Sequence, residues 1–314
     1  MGMTAYLRYN ELMDLSIATP QVFQGRKKIV RWGSVIFIGA VTMTALVAAP
    51  LYIYQFGVSR SEIILFAVYF IATSLAITVG YHRYFAHSTF KTNPVIRFVL
   101  LFFGAATFEQ SALKWSSLHR VHHQYTDTER DPYNIKDGFF YAHVGWILFW
   151  KQPVNYDNVK DLLKSRLIKH QHEHYQFWAL TSGILIPLLL GAWTGHLLGA
   201  LIFAVGLRLF LVFNSAFFIN SFAHTFGSRP YDPFVSARDH WLGAILTNGE
   251  GYHNYHHRFP NDYRNGIQWY HWDPSKWIIW TLEKIGMARD LRRTPREQII
   301  KTRQEAEMSL MTIE

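Results

Sequence analysis

The chain has 314 residues, is 50% hydrophobic and 17% aromatic, carries a formal net charge of +9 and contains no cysteine. The missing thiols exclude disulfides, thiolate metal ligands, iron–sulfur clusters and cysteine nucleophiles. The basic balance comes without an aromatic-interleaved basic repeat. It therefore points away from nucleic acid and toward anionic lipid headgroups or an anionic substrate.

In chain order, Arg26, Lys27, Lys28 and Arg31 precede a stretch from Trp32 to Tyr54 that holds no charged residue, and a second such stretch runs from Ile63 to Tyr81. Between Phe177 and Ser228 the only formally charged residue is Arg208. About 20 apolar residues suffice for a helix to cross a bilayer, and the last run is too long for one crossing. Its "GAWTGHLLGA" segment, Gly191 to Ala200, supplies glycines for a turn. The expectation is an all-α integral membrane protein. Four transmembrane helices, near 32–54, 63–82, 176–193 and 200–223, form two hairpins, with Pro187 as a tolerated kink in the third. The basic cluster before the first helix places the N-terminus in the cytoplasm. A helical cytoplasmic cap is then built from 83–175 and 224–314. No internal repeat divides the chain, so 1–314 reads as one domain. The segment from Asp290 onward reads as a polar, helical, solvated tail, and Arg208 as snorkelling to the outer interface.

Sixteen histidines are present. His82 and His87 follow the second apolar run; "HRVHH" gives His119, His122 and His123; "NSFAH" gives Asn220 and His224; "HNYHH" gives His253, His256 and His257. The topology brings all of them to one face of the membrane. On a helix, positions i, i+3 and i+4 share a face, so each H-x-x-H-H motif can aim three imidazoles at one centre. His82 and His87 are five apart and converge only if their helix ends or bends between them. Nine imidazoles exceed what one ion uses, so the count implies two metal ions with four or five nitrogens each. A site without thiolate, H-E-x-x-H or bridging carboxylate motif suits redox-active iron better than hydrolytic zinc. "HQHEH" (170–174), His143, His196, His240 and His271 read as surface or packing groups.

The words "GYHRYFAHSTF" (80–90), "WSSLHRVHHQYTDTERDPYN" (115–134), "GFFYAHVGWIL" (138–148), "NSFAHTFG" (220–227) and "GEGYHNYHHRFP" (249–260) resemble the membrane-bound fatty acyl desaturases. The likeness is to the stearoyl-CoA (Δ9) type and its bacterial relatives. It implies that His82, His87, His119, His122, His123, His224, His253, His256 and His257 ligate two irons, with Asn220 reaching iron through water. It further implies O2-dependent insertion of a cis double bond into a long-chain acyl-CoA, since an alkyl C–H bond offers acids and bases no handle. Trp115 and Phe217 become tunnel walls, Phe70 the far end of the tunnel, and Lys151 a contact for the CoA phosphates. Acyl-lipid desaturation, or a histidine-box hydroxylase or oxygenase, is the alternative. Without a fused haem, ferredoxin or nicotinamide motif, an external donor is expected: a ferredoxin, a rubredoxin, or cytochrome b5 with its reductase. The expected location is a bacterial cytoplasmic membrane, with the endoplasmic reticulum as the alternative.

Overall fold

The computed structural model describes residues 27–151 and 154–311, so Arg26 of the basic cluster lies outside the described residues. Among the described residues four helices are long and apolar enough to cross a membrane: α1 (Trp32–Phe56), α2 (Arg60–Ala86), α6 (Tyr175–Trp193) and α7 (Leu197–His224). Between α2 and α6 lie α3 (Pro94–Ala105), α4 (Ala112–Tyr125) and α5 (Arg166–Glu173). After α7 come α8 (Trp241–Leu246), α9 (His253–Arg258), α10 (Pro274–Lys284) and α11 (Arg296–Met311). Two short antiparallel ribbons tie the cap together. One pairs β1 (Lys27–Lys28) with β3 (Trp150–Lys151), the other β2 (Lys91–Thr92) with β4 (Ala288–Arg289). The chain is thus an integral membrane protein of mostly helical build.

The spans agree with the sequence reading to within a turn or so, and their extensions have local causes. Ser59 caps α2 by accepting from Glu62 N while the Glu62 side chain returns to Ser59 N, a reciprocal box that starts the helix at Arg60. The turn between α6 and α7 centres on Gly195, whose φ of +78° favours glycine.

Inside a bilayer, apolar burial does not drive helices together, and small residues that let backbones approach do. On α7, Gly206 receives Thr44 of α1 so closely that a Cβ there would lie 2.2 Å from the Thr44 methyl. Gly191 of α6 meets Ala200 of α7 at the same spacing. Helix α7 is accordingly the central member, and α1 packs on it through Tyr52 against Phe203. The outward faces stay apolar, with Ile36, Leu46, Ile64, Ile71 and Leu189 exposed as lipid contact requires.

Two expectations are corrected here. Arg208 does not snorkel: it is fully buried and donates to Ala204 O at 2.8 Å, Ala106 O at 2.7 Å and Gly183 O at 2.9 Å. Each guanidinium nitrogen thus has a carbonyl partner inside the protein, which offsets the cost of leaving water. The segment after Asp290 is not a bare solvated tail. Arg292 N bonds Thr89 O, Tyr263 N bonds Arg292 O, and Ile299 of α11 packs on Tyr255 and Phe259 behind the last histidine motif. Of "HQHEH", His170 and His174 are exposed as expected, while Gln171 is buried and bonds Tyr81 Oη, Leu101 O and Ala112 N.

Candidate metal centre

Nine histidines converge in two sets. His82, His87, His119, His123 and His256 form one, and His122, His224, His253 and His257 the other, the candidate ligand atoms of each set lying within 4.8 Å of one another. These are the nine histidines of the sequence reading.

Each approach has a local reason. His82 and His87 meet because the last part of α2 winds in wide turns, with His87 N–H donating to His82 O five residues back at 3.1 Å. A π-turn stacks i over i+5, which an α-turn cannot do, and such turns recur at functional sites. Helix α4 starts at Ser111, which accepts from Lys114 N, and its regular geometry aims His119, His122 and His123 from one face. Helix α9 has only six residues and is held from outside. Its Asn254 accepts from Tyr231 N and Asp232 N and donates to Asp232 O and Ala237 O. Gly251 just before it passes so close to α8 that a Cβ would sit 2.1 Å from Ala244 N, so no side chain fits.

The imidazoles face inward through Nε2. Within the first set the contacts are His82–His256 at 2.9 Å, His87–His119 at 2.8 Å, His119–His123 at 3.1 Å and His123–His256 at 2.9 Å. Within the second they are His122–His257 at 3.2 Å, His253–His257 at 3.1 Å and His224–His253 at 3.1 Å. At a metal–imidazole distance of about 2.1 Å, neighbouring nitrogens lie about 3.0 Å apart around an octahedral ion and about 3.4 Å apart around a tetrahedral one. The observed spacing is that of nitrogens gathered around a common ion. Burial first, then neighbouring imidazoles, hold His87, His119, His123, His256 and His257 well below the usual histidine range and His253 down to about 3. They are therefore neutral, the form a metal needs.

Three of the outer ring nitrogens lie against polar partners. His82 Nδ1 lies 2.8 Å from Glu250, His122 Nδ1 2.9 Å from Asp131, and His224 Nδ1 2.7 Å from Ser236 Oγ, which in turn bonds Asp127. Carboxylate and hydroxyl partners of this kind fix ring orientation and raise ligand basicity. Glu250 itself is held by Arg83 at 3.0 Å, and Arg83 also pairs with Asp273 at 2.9 Å, all three essentially out of solvent. The facing charges pull Glu250 down to about 2 against the opposing effect of burial. The donor set and the held outer nitrogens of His82, His122 and His224 fit a pair of iron ions.

Sequence reasoning missed Glu250, Asp131 and Ser236. Glu250 and Asp131 stood inside quoted words, but no spacing rule linked them to their histidines.

A cavity of about 750 Å³ reaches this centre. His82, His119, His122, His253, Glu250 and Asn220 line one part of it. Elsewhere its wall is apolar, with Phe37, Ile77, Phe108, Ile184, Phe213 and Phe217. Arg31, Lys114 and Lys151 contribute cationic groups. Of the sequence candidates, Trp115, Phe217, Lys151 and Asn220 line the cavity. Phe70 is not among its lining residues and instead stacks on Phe66, ring centroids 5.8 Å apart. Trp115 lies flat on His119, centroids 4.8 Å apart.

The chain is 41% identical over 246 residues to the "Probable acyl-CoA desaturase" of Schizosaccharomyces pombe, covering 77% of this chain and 51% of the relative. It is 41% identical over 237 residues to "Acyl-CoA desaturase 1" of Saccharomyces cerevisiae, covering 74% and 46% respectively. To the "Stearoyl-CoA desaturase" of Capra hircus it is 32% identical over 273 residues, covering 83% and 74%. The chain thus spans about half the length of the two yeast relatives. The profile of the fatty acid desaturase family matches residues 62–288, a stretch that holds all nine converging histidines. The chain belongs to the fatty acid desaturase family.

Proposed function

We propose that the protein is an O2-dependent acyl-CoA desaturase that introduces a cis double bond, at Δ9, into a long-chain saturated acyl chain. The observation that carries this reading is the apolar cavity ending on nine inward-facing imidazoles, with Arg31, Lys114 and Lys151 as cationic lining. The names of the relatives supply acyl-CoA as the substrate class.

The nine histidines would hold two irons, which when bound supply the oxidising power to remove two hydrogens from a methylene pair. O2, two electrons and two protons are consumed, and two waters leave with the alkene. The chain's own residues do the rest. Glu250, Asp131 and Ser236 orient His82, His122 and His224, so the ligand nitrogens are preorganised before metal or substrate arrives. The aromatic and aliphatic wall orders a flexible chain and excludes water from the reacting carbons. Trp115, flat on His119, forms the wall beside the metal centre. Phe37, Phe108 and Phe213 form a ring cluster in that wall, centroids 5.4 and 6.1 Å apart, which limits chain length. Arg31 and Lys151 would meet the phosphates of the CoA. Asn220, in the cavity wall among the histidines, would reach iron through a water.

The basic residues ahead of α1 and the short opposite turns favour a centre facing the cytoplasm. The membrane is the bacterial cytoplasmic membrane or the endoplasmic reticulum. The relatives named above come from yeasts and a mammal, which favours the second. Electrons come from a separate ferredoxin, rubredoxin, or cytochrome b5 with its reductase, and residues 1–314 act as one domain. The test is product mass from purified, iron-loaded protein given stearoyl-CoA, O2 and a reducing partner. Loss of two hydrogens supports desaturation. Gain of one oxygen would make the protein a hydroxylase instead.

A further inference from the structure

A file of aromatic rings leads from the third histidine motif to the surface and has no part in the chemistry above. Tyr252 is buried, precedes the ligand His253 in the chain and lies face to face with His271, centroids 4.6 Å and planes 11° apart. His271 meets Tyr270 at 5.1 Å, and Tyr270 meets Trp269 at 5.7 Å. The file begins beside a metal ligand and ends in the open, with Tyr270 65% and Trp269 83% exposed. Rings left so exposed contribute little through burial.

The loop that carries the file is held rigidly. The buried Lys276 ammonium gathers three of its carbonyls, donating to Gly266 O at 2.6 Å, to Gln268 O and to His271 O at 3.0 Å. Hydrogen bonds from an ionised donor are the strong ones. Gly266 leaves room for the stack, since a Cβ there would lie 2.7 Å from His271 Cβ and 2.9 Å from Tyr252 Cε2. The other oxidisable rings against the ligands lead elsewhere. Trp115 on His119, and Tyr133 on His122 with its neighbour Trp146, end in the cavity wall.

In a chain without cysteine, phenol and indole are the side chains that give up a single electron most readily. We propose that Trp269, Tyr270, His271 and Tyr252 form an electron path that discharges the metal centre when O2 has been taken up and no acyl chain lies in the cavity. The path spares the ligand histidines from oxidation. It rests on the oxygen-activating part of the desaturase reading. An electron leaves the exposed Tyr270 or Trp269, crosses the stacked His271 and Tyr252 rings and arrives on the His253 side of the centre. The phenolic or indole proton departs to water at the exposed end, and the centre takes up one proton for each electron that arrives. The neutral ring radical then takes a hydrogen atom from a small thiol in solution, which restores the side chain, and two thiyl radicals couple to a disulfide. With two such passes, one O2, two donor electrons, two protons and two thiols give two waters and one disulfide. No C–H bond of a substrate is broken.

The test is the double variant Trp269→Phe with Tyr270→Phe, which changes two exposed rings outside the cavity wall and removes the electron source. Iron-loaded full chain is reduced with stoichiometric dithionite, mixed with O2 without acyl-CoA or thiol, and frozen. Electron paramagnetic resonance of the wild type shows a tyrosyl or tryptophanyl radical, which stearoyl-CoA suppresses and the double variant lacks. After repeated cycles, peptide mass analysis finds added oxygen on Trp269 or Tyr270 in the wild type and on the ligand histidines in the variant. The variant loses activity several-fold faster in these cycles, yet its initial kcat on stearoyl-CoA is that of the wild type. A wild type without the radical, a radical unchanged in the variant, or equal rates of inactivation would each overturn the proposal. Product mass decides the desaturase reading separately. A wild type that forms the radical but no alkene keeps the path and loses that reading, and one that forms alkene without the radical loses the path alone.

Discussion

Asp131→Asn separates the two halves of the metal centre. The wild-type carboxylate is buried, with Oδ1 2.9 Å from His122 Nδ1, and its oxygens also accept Tyr133 N at 3.2 Å and Asp127 N at 3.3 Å. An asparagine fills the same space and can still accept amides. What it loses is the negative charge that makes His122 a stronger donor through Nε2. Removing such a partner costs about 10–100-fold in metal affinity, or about 1.4–2.7 kcal/mol. The loss should fall on the set containing His122, His224, His253 and His257. The other set keeps its own anchor, Glu250 on His82. The assay is iron per chain after equilibration against a graded chelator series. In the variant, one iron should leave at a free-iron level about 10–100-fold higher than in wild type, while the second is unchanged. Superimposable release curves, or an equal shift of both irons, would refute the assignment of Asp131 to one half.

The remaining predictions concern stability and chain length. Arg83→Met leaves Glu250 and Asp273 buried without their cation, so the fold should lose about 3–5 kcal/mol, read as a large fall in melting temperature in detergent; a Tm near wild type would contradict the buried network. Glu109→Gln should flatten the pH dependence of stability. In wild type burial makes the folded chain hold the Glu109 proton up to about 8 while the unfolded chain releases it at ordinary carboxyl values, so stability falls as pH rises through that window and levels off above it. Equal Tm–pH slopes for wild type and variant across pH 5–8 would sink this. Phe213→Ala should admit longer acyl chains, whereas Phe70→Ala, outside the cavity wall, should leave product lengths unchanged. The reverse pattern would return the length-setting role to Phe70.

The spans and the nine histidines were legible because both depend on one-dimensional patterns, about 20 apolar residues in a row and i, i+3, i+4 spacing. Even the awkward pair, His82 and His87, carried its own demand for a bend, which the wide turns of α2 meet. The anchoring residues were not legible. Glu250 reaches His82 across 168 positions of chain, and nothing in sequence spacing encodes a contact of that range. Arg208 read as snorkelling because hydropathy records the cost of a buried charge but not the three carbonyls that its own helix, Ala106 and Gly183 of α6 bring to it. Phe70 was placed by the family resemblance, whereas in the structure it stacks on Phe66 one turn away on α2 and is not among the residues lining the cavity. The segment after Asp290 looked solvated because α11 is mainly polar, and the few positions it buries, Ile299, Thr302 and Ala306, are too sparse to stand out.

The central claim is that these histidines and this cavity together desaturate acyl chains. The direct measurement is fatty-acid analysis of a host that lacks its own desaturase and expresses either the wild-type chain or His256→Ala. New cis-monoenoic acids should appear with the wild type and vanish with the variant at equal protein level. A wild type that reaches the membrane with two irons bound and still yields no monoenoic acid would contradict the account.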